Sequence, residues 1–266
     1  MNNITDKAAA RAIRGQTTPE DDSICLSCSY QELFDLLNDV EARKRTSAAK
    51  LLGIRKCVEA IPLLCERLKV EKALYTRIAI CDALANIGES AIPALIELVG
   101  KIGKNQHENL PELGFYKRSY PLPRDIAVRT IIKIGVPALR LLENVVLKEE
   151  RYQRLEAIDG IGQIAFYEGD LSSESVLLNA FEKNFSDQVV MWKLIRAFQA
   201  FPTDKVRELL EMIIRTNPRP ELRWEAVRSL GQHGSNVTEE LLAITRNDVD
   251  SEVRKMSKLF LKISQV

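Results

Sequence analysis

Histidine is nearly missing: His107 and His233 are the only two in 266 residues. A Ser-His-Asp set cannot be assembled from their spacing, and a multi-histidine metal centre needs more of them than exist. No apolar run approaches the roughly 18 residues of a membrane-spanning helix. The first residues mix Asp6, Lys7, Arg11 and Arg14 with alanines, where a secretion signal would carry an apolar core. The sequence thus predicts neither a membrane segment nor a secretory leader. An excess of one charge is absent too, since 38 Lys and Arg stand against 37 Asp and Glu. That balance removes the bulk attraction by which nucleic acid or an anionic membrane is held. Aromatics amount to 6%, which suits closely spaced helices built on Ala, Leu and Ile.

Cysteine is sparse and odd in number, five in all. Without a secretion signal this points to free thiols in a reducing compartment, hence a cytoplasmic protein. Cys25-Leu-Ser-Cys28 has the spacing of half a zinc site, yet no second pair follows to close a tetrahedron. Cys57, Cys65 and Cys81 fall among apolar positions at helical spacing, where a thiol acts as a small hydrophobe. No metal and no cofactor is predicted.

What is present is a repeat. An eight-residue frame, usually a cation first and always a large apolar residue last, occurs seven times: Arg45 and Leu52, Arg77 and Leu84, Arg124 and Ile131, Arg154 and Ile161, Met191 and Phe198, Arg223 and Leu230, Arg254 and Leu261. The closing residues lie 32, 47, 30, 37, 32 and 31 positions apart, the period of stacked helical hairpins. In the clearest copy Ile80, Leu84 and Ile87 recur at helical spacing, Gly88 suits the left-handed turn after a helix, and Pro93 suits the first turn of the next. The predicted class is all-α, an α-α superhelix (solenoid) of about six to seven hairpins. Gly160-Ile-Gly162-Gln-Ile-Ala165 spells a dinucleotide fingerprint, but no strand precedes it. Aligned on the frame, Gly160 falls on Ala83 and Gly162 on Ala85, so both glycines are small packing positions.

Ser251-Glu-Val-Arg254, Ala48-Ala49-Lys-Leu-Leu-Gly53 and Ala91-Ile-Pro93 carry a resemblance to the HEAT-like repeats of phycobilisome lyases, over about residues 30–264. That resemblance implies the solenoid architecture and leaves function open, because such repeats occur in lyases, glycosylases, hydroxylases and adaptors. It also implies a structural role for Arg45, Arg77, Arg124, Arg154, Arg223 and Arg254, stacked between repeats and bonded to the preceding turn. The hydroxylases of this fold hold iron with several His-Glu pairs, and only His107-Glu108 is available here.

Residues 1–28 read as an N-terminal helix followed by a turn-rich, mobile connection, and residues 29–264 as the repeat array. Ser29-Tyr-Gln-Glu32 forms a capping box for a helix over 32–38. Residues 254–263 read as one capping helix. The interval of 47 contains an inserted loop, 103–122, within which Phe115, Tyr116, Lys117, Arg118 and Tyr120 bring three aromatics beside two cations. Aromatic rings and arginine are frequent interface anchors, so these five are the candidate binding residues. The predicted function is a non-catalytic scaffold that holds a protein or peptide on its concave face, lined by second helices over 59–69, 89–101, 137–148, 173–183, 204–215 and 238–246. The alternative is a bilin lyase-like or chaperone-like protein whose Phe115, Tyr116 and Tyr120 stack on a pigment. A further alternative is a DNA-binding protein resembling HEAT-like alkylpurine glycosylases, with Trp192 and Trp224 against bases.

Overall fold

The computed structural model describes residues 2–103, 105–148, 150–234 and 236–263. Lys104 of the inserted loop and residue 264, the expected end of the array, lie outside them. The protein is an all-α repeat array, a solenoid in class. Its helices are α1 (Asn2–Ile13), α2 (Pro19–Ile24), α3 (Tyr30–Leu36), α4 (Ala42–Ile54), α5 (Ile61–Val70), α6 (Leu74–Ile87), α7 (Ile92–Ile96), α8 (Ile126–Ile134), α9 (Leu139–Lys148), α10 (Arg151–Glu168), α11 (Glu174–Lys183), α12 (Gln188–Ala197), α13 (Asp204–Thr216), α14 (Pro220–Gln232), α15 (Glu239–Arg246) and α16 (Ser251–Phe260). Two compact units divide the chain. The first runs to Ile102 and adds Ile126–Ala138, while the second comprises Gly103–Asp125 and everything from Leu139 onward. Among the described residues no single helix is long and apolar enough to cross a membrane.

The frame explains these elements. Helices α4, α6, α8, α10, α12, α14 and α16 carry its apolar positions and are called frame helices below. Leu52, Leu84, Ile131, Ile161 and Phe198 are wholly buried, and the pattern repeats because each hairpin covers its apolar stripe with its neighbours. In four of the copies the twelfth frame position turns the chain back. Lys56, Gly88, Gly135 and Gly234 occupy it with φ of 48°, 87°, 85° and 118°, the left-handed region that glycine enters without steric cost. In the copy on α10 that position is Ala165, inside the helix, and the turn comes at Gly169. Pro62 and Pro93 then sit in the first turn of α5 and α7, where a missing N–H costs nothing. The fifth copy departs: Pro202 replaces the glycine, and α12 gives way to a short 3-10 turn over Phe198–Ala200.

Several expectations change in detail. Residues 15–22, read as a mobile connection, lead into α2, whose Thr18 and Asp21 form a capping box. The capping box at Ser29 is present, but its helix is Tyr30–Leu36. The helix expected over 89–101 is shorter, since α7 ends at Ile96 and turns follow. The single helix expected over 254–263 stops at Phe260, after which Lys262–Ile263 pairs in parallel with Asn236–Val237. Backbone pairing replaces the last helical turn there. Arg124 precedes α8 and so lies outside any helix.

Candidate functional site

The frame arginines follow one geometry in three copies. Arg45 donates Nη1 to the carbonyls of Asp39 and Val40 at 2.8 and 3.0 Å, and Nε and Nη2 to both oxygens of Glu71 at 2.8 and 2.9 Å. Arg223 repeats this with Asn217 O, Pro218 O and the Asp248 carboxylate. Arg254 reaches Asp248 O and Val249 O. Arg154 donates to Val146 O and Asn184 Oδ1, whereas Arg124 is exposed and donates to Asn105 O. Each of the first three guanidiniums fills the turn before its own helix, and two of them also clamp an acid ahead of the next, the bidentate match for which arginine is suited. Burial works to raise the Glu71 carboxyl, but bonds from Arg45, the Ala73 amide and Arg67 outweigh it and hold the pKa at about 2.

On the second unit the side of the frame helices bearing frame positions two, three and six is charged and covered. Glu156 and Asp159 of α10, Lys193 and Arg196 of α12, and Glu225 and Arg228 of α14 are all buried. Lys193 Nζ lies 2.9 Å from both Glu156 Oε1 and Asp159 Oδ2, Arg228 Nη1 lies 2.9 Å from Glu225 Oε1, and Arg196 bridges Asp159 and Glu225 at 3.7 Å. Three cations and three carboxylates thus interlock across three helices, two acids on α10, two cations on α12 and one of each on α14. Trp192 donates Nε1 to Glu225 Oε2 at 2.8 Å, and the Arg196 guanidinium stacks 3.8 Å from its ring. Sequence reasoning missed this network. Its signal was the frame itself, which places Glu156, Lys193 and Glu225 at one position of three consecutive copies, and Asp159, Arg196 and Arg228 at another.

The cover is the inserted loop. At its neck Arg124 Nη1 donates to Asn105 O at 3.1 Å and Asn105 Nδ2 to Arg124 O at 3.4 Å, so its ends meet. His107 packs edge-on against Trp192 at 4.9 Å; burial, then the nearby Lys193 charge, push its pKa down to about 3. Further along, Phe115 lies under Arg228 at 5.1 Å, Tyr116 under Lys255 at 3.9 Å, and Arg118 over Phe260 at 5.0 Å. The chain then returns. Arg228 donates Nη2 to Ser119 O at 3.1 Å, Gln232 Nε2 to Arg118 O at 2.8 Å, and the Asp125 amide to Glu156 Oε2 at 3.3 Å. Tyr120 enters a slot over Gly162 and Phe166 and is 4% exposed. A Cβ on Gly162 would fall 2.8 Å from Tyr120 Cζ and 2.9 Å from Ala197 Cβ, so the glycine is required by the loop as well as by the helices.

Of the five candidate binding residues, then, Tyr120 is buried, Phe115 and Tyr116 are half-buried, and Lys117 and Arg118 are exposed. Trp192 and Trp224 are 1% and 2% exposed, so neither offers a face to a nucleobase. Their packing excludes the base-stacking arrangement considered from the sequence.

The first unit uses the same side of its frame helices to hold the N-terminal segment around α2. The Tyr75 amide donates to Arg14 O at 3.0 Å, Ser47 and Lys50 donate to Asp22 at 2.6 and 2.7 Å, and Arg55 donates to Leu26 O and Cys28 O at 2.8 and 2.7 Å. Gly15 lies where an added Cβ would fall 2.6 Å from Thr76 Oγ1. Beside this segment a cavity of about 370 Å³ stays open, lined among others by Thr17, Lys50, Ile54, Tyr75, Ile78 and Asp82. Ile54 is 71% and Ile78 44% exposed. The five cysteines are free thiols, and among the described residues no three His, Cys, Asp or Glu side chains converge on a metal position.

Stacked helical hairpins tied by frame arginines define a repeat protein. Residues 174–261 match the family model of HEAT repeats, so the repeats of that stretch are HEAT-like. No curated protein matches it. Among solved structures, an engineered protein of the Northeast Structural Genomics Consortium is 17% identical, with 88% of this chain and 97% of that one covered and a TM-score of 0.35. A computationally designed armadillo repeat protein for modular peptide recognition is 14% identical, covering 87% and 98%, with a TM-score of 0.37.

Proposed function

We propose that the protein is a non-catalytic interaction scaffold with HEAT-like repeats of the phycobilisome-lyase type, and that it holds a protein or peptide segment against the sides of its frame helices. One observation carries this. In each unit that side already grips a stretch of the chain itself, residues 14–28 with the short helix α2 on α4 and α6 and residues 105–125 on α10, α12, α14 and α16, in part through backbone carbonyls. A surface that satisfies backbone groups of irregular chain is suited to another chain of the same kind. We place the docking surface on the frame-helix side of each unit, beside the second-helix face named from the sequence. The open part is the groove at Ile54, Tyr75 and Ile78, where apolar side chains stand exposed beside Lys50 and Asp82. Lys117 and Arg118 are exposed on the loop and serve as secondary contacts. The near-zero net charge favours a partner chosen by pattern over one gathered by bulk charge, and five unpaired thiols favour the cytoplasm.

The test is affinity capture from lysate of the source cell, wild type against an Ile54→Asp/Ile78→Asp variant. Both side chains are exposed, so the fold is retained. A specific protein held by the wild type and lost from the variant is the expected result. Equal capture by both, or no specific protein from either, overturns the reading.

A further inference from the structure

The loop of the second unit covers a surface that is unusually polar for something permanently shut. Asp159, Gln163 and Tyr120 are at most 9% exposed, yet neither Asp159 carboxylate oxygen, nor Gln163 Oε1, nor Tyr120 Oη has a hydrogen bond among the described residues. Asp159 meets Lys193 and Arg196 as ion pairs only. A buried polar group left without a hydrogen bond costs about 1–3 kcal/mol, so Gln163 Oε1 and Tyr120 Oη set the closed arrangement against the contacts of Phe115, Tyr116 and Tyr120. The bonds that do form have a common character. Arg228 and Gln232 take loop carbonyls and Glu156 takes a loop amide, which are groups every polypeptide has. Cations beside carboxylates on this floor offer donors to C=O and acceptors to N–H, and Gln163 Oε1 is an acceptor still unfilled.

Its ends allow the loop to move by itself. The neck bonds between Asn105 and Arg124 bring entry and exit together, and Leu113 in the loop is 68% exposed. We propose that the charged floor of α10, α12 and α14 is a polypeptide-binding site filled in cis by residues 105–125, and that a partner's extended segment binds by displacing this loop. The proposal deepens the scaffold reading and rests on it for the kind of partner. The loop thus acts as a resident competitor: apparent affinity for an added segment falls by the fraction of molecules in which the loop is open.

The experiment adds a labelled synthetic peptide of residues 112–125, which carries the floor contacts of the return strand, to the full-length protein and measures fluorescence anisotropy. Wild type is compared with Phe115→Ala/Tyr120→Ala, which removes two anchors and leaves the floor intact. Binding to the variant at least about tenfold tighter than to wild type is expected. Equal affinity for both proteins, or no binding to a variant with native helical circular dichroism, overturns the proposal. If the variant loses that signal, hydrogen exchange of the wild type decides. Amides of residues 112–122 exchanging at least about 100-fold faster than those of α10, α12 and α14 support the proposal, and equal rates overturn it. The probe is a fragment of this chain, so failure here leaves the Ile54/Ile78 capture result standing on its own, and the reverse also holds.

Discussion

Lys56 holds a φ of 48° where Gly88, Gly135 and Gly234 hold the same frame position in the other turns. A side chain in the left-handed region costs about 1 kcal/mol that glycine does not incur, against a smaller entropic loss in the unfolded chain. Lys56→Gly should therefore raise the melting temperature by a few degrees, measured by circular dichroism, and a fall would mean the Lys56 side chain makes a contact of greater worth. Acid should act through Glu71. Its folded pKa of about 2 lies below the ordinary 4.5, so the unfolded chain takes up the proton first. The stabilisation is fully present above pH 4.5 and is lost as pH falls towards 2, on the order of 3 kcal/mol in total. Glu71→Gln should flatten that limb of the stability–pH curve; a parallel curve for the variant would assign the acid loss to other carboxylates.

Within the elements, Lys193 stands wholly buried between Glu156 and Asp159. Lys193→Ala leaves Glu156 without a cation and Asp159 with Arg196 alone, a change costing about 3–5 kcal/mol, whereas Lys193→Met together with Glu156→Gln and Asp159→Asn should cost far less. Chemical denaturation of both proteins checks this, and equal losses would show that packing, and not charge, sets the cost. The same helices show what a sequence does and does not reveal. Leu84, Gly88 and Pro93 announce helix, turn and helix because each obeys a local steric rule. Gly162 was legible as a small residue, but what it makes room for is Tyr120, forty-two positions away. Nothing local links the two. Lys193 is likewise buried against two acids of the preceding repeat, Glu156 and Asp159, which nothing near it in the chain announces.

For the whole molecule, 38 cations against 37 acids and two buried tryptophans leave little to hold nucleic acid. Labelled duplex and single-stranded DNA should show no anisotropy change at physiological salt, and any binding at low salt should vanish steeply on adding more. Tight, salt-resistant binding would contradict the buried positions of Trp192 and Trp224. The repeat period was visible at this scale because it is written into the chain seven times. The covering of the second unit was not, because it depends on where one non-repeating stretch comes to rest. That stretch enters at Asn105 and leaves at Arg124, two residues hydrogen-bonded to each other. The junction is thus the same for any insert whose termini meet, while residues such as Gly162, Arg228 and Gln232 meet whatever is spliced between them. A protein engineer could treat it as a cassette, exchanging the stretch between Asn105 and Arg124 for a library of loops while the helices beneath serve as an unchanging mould.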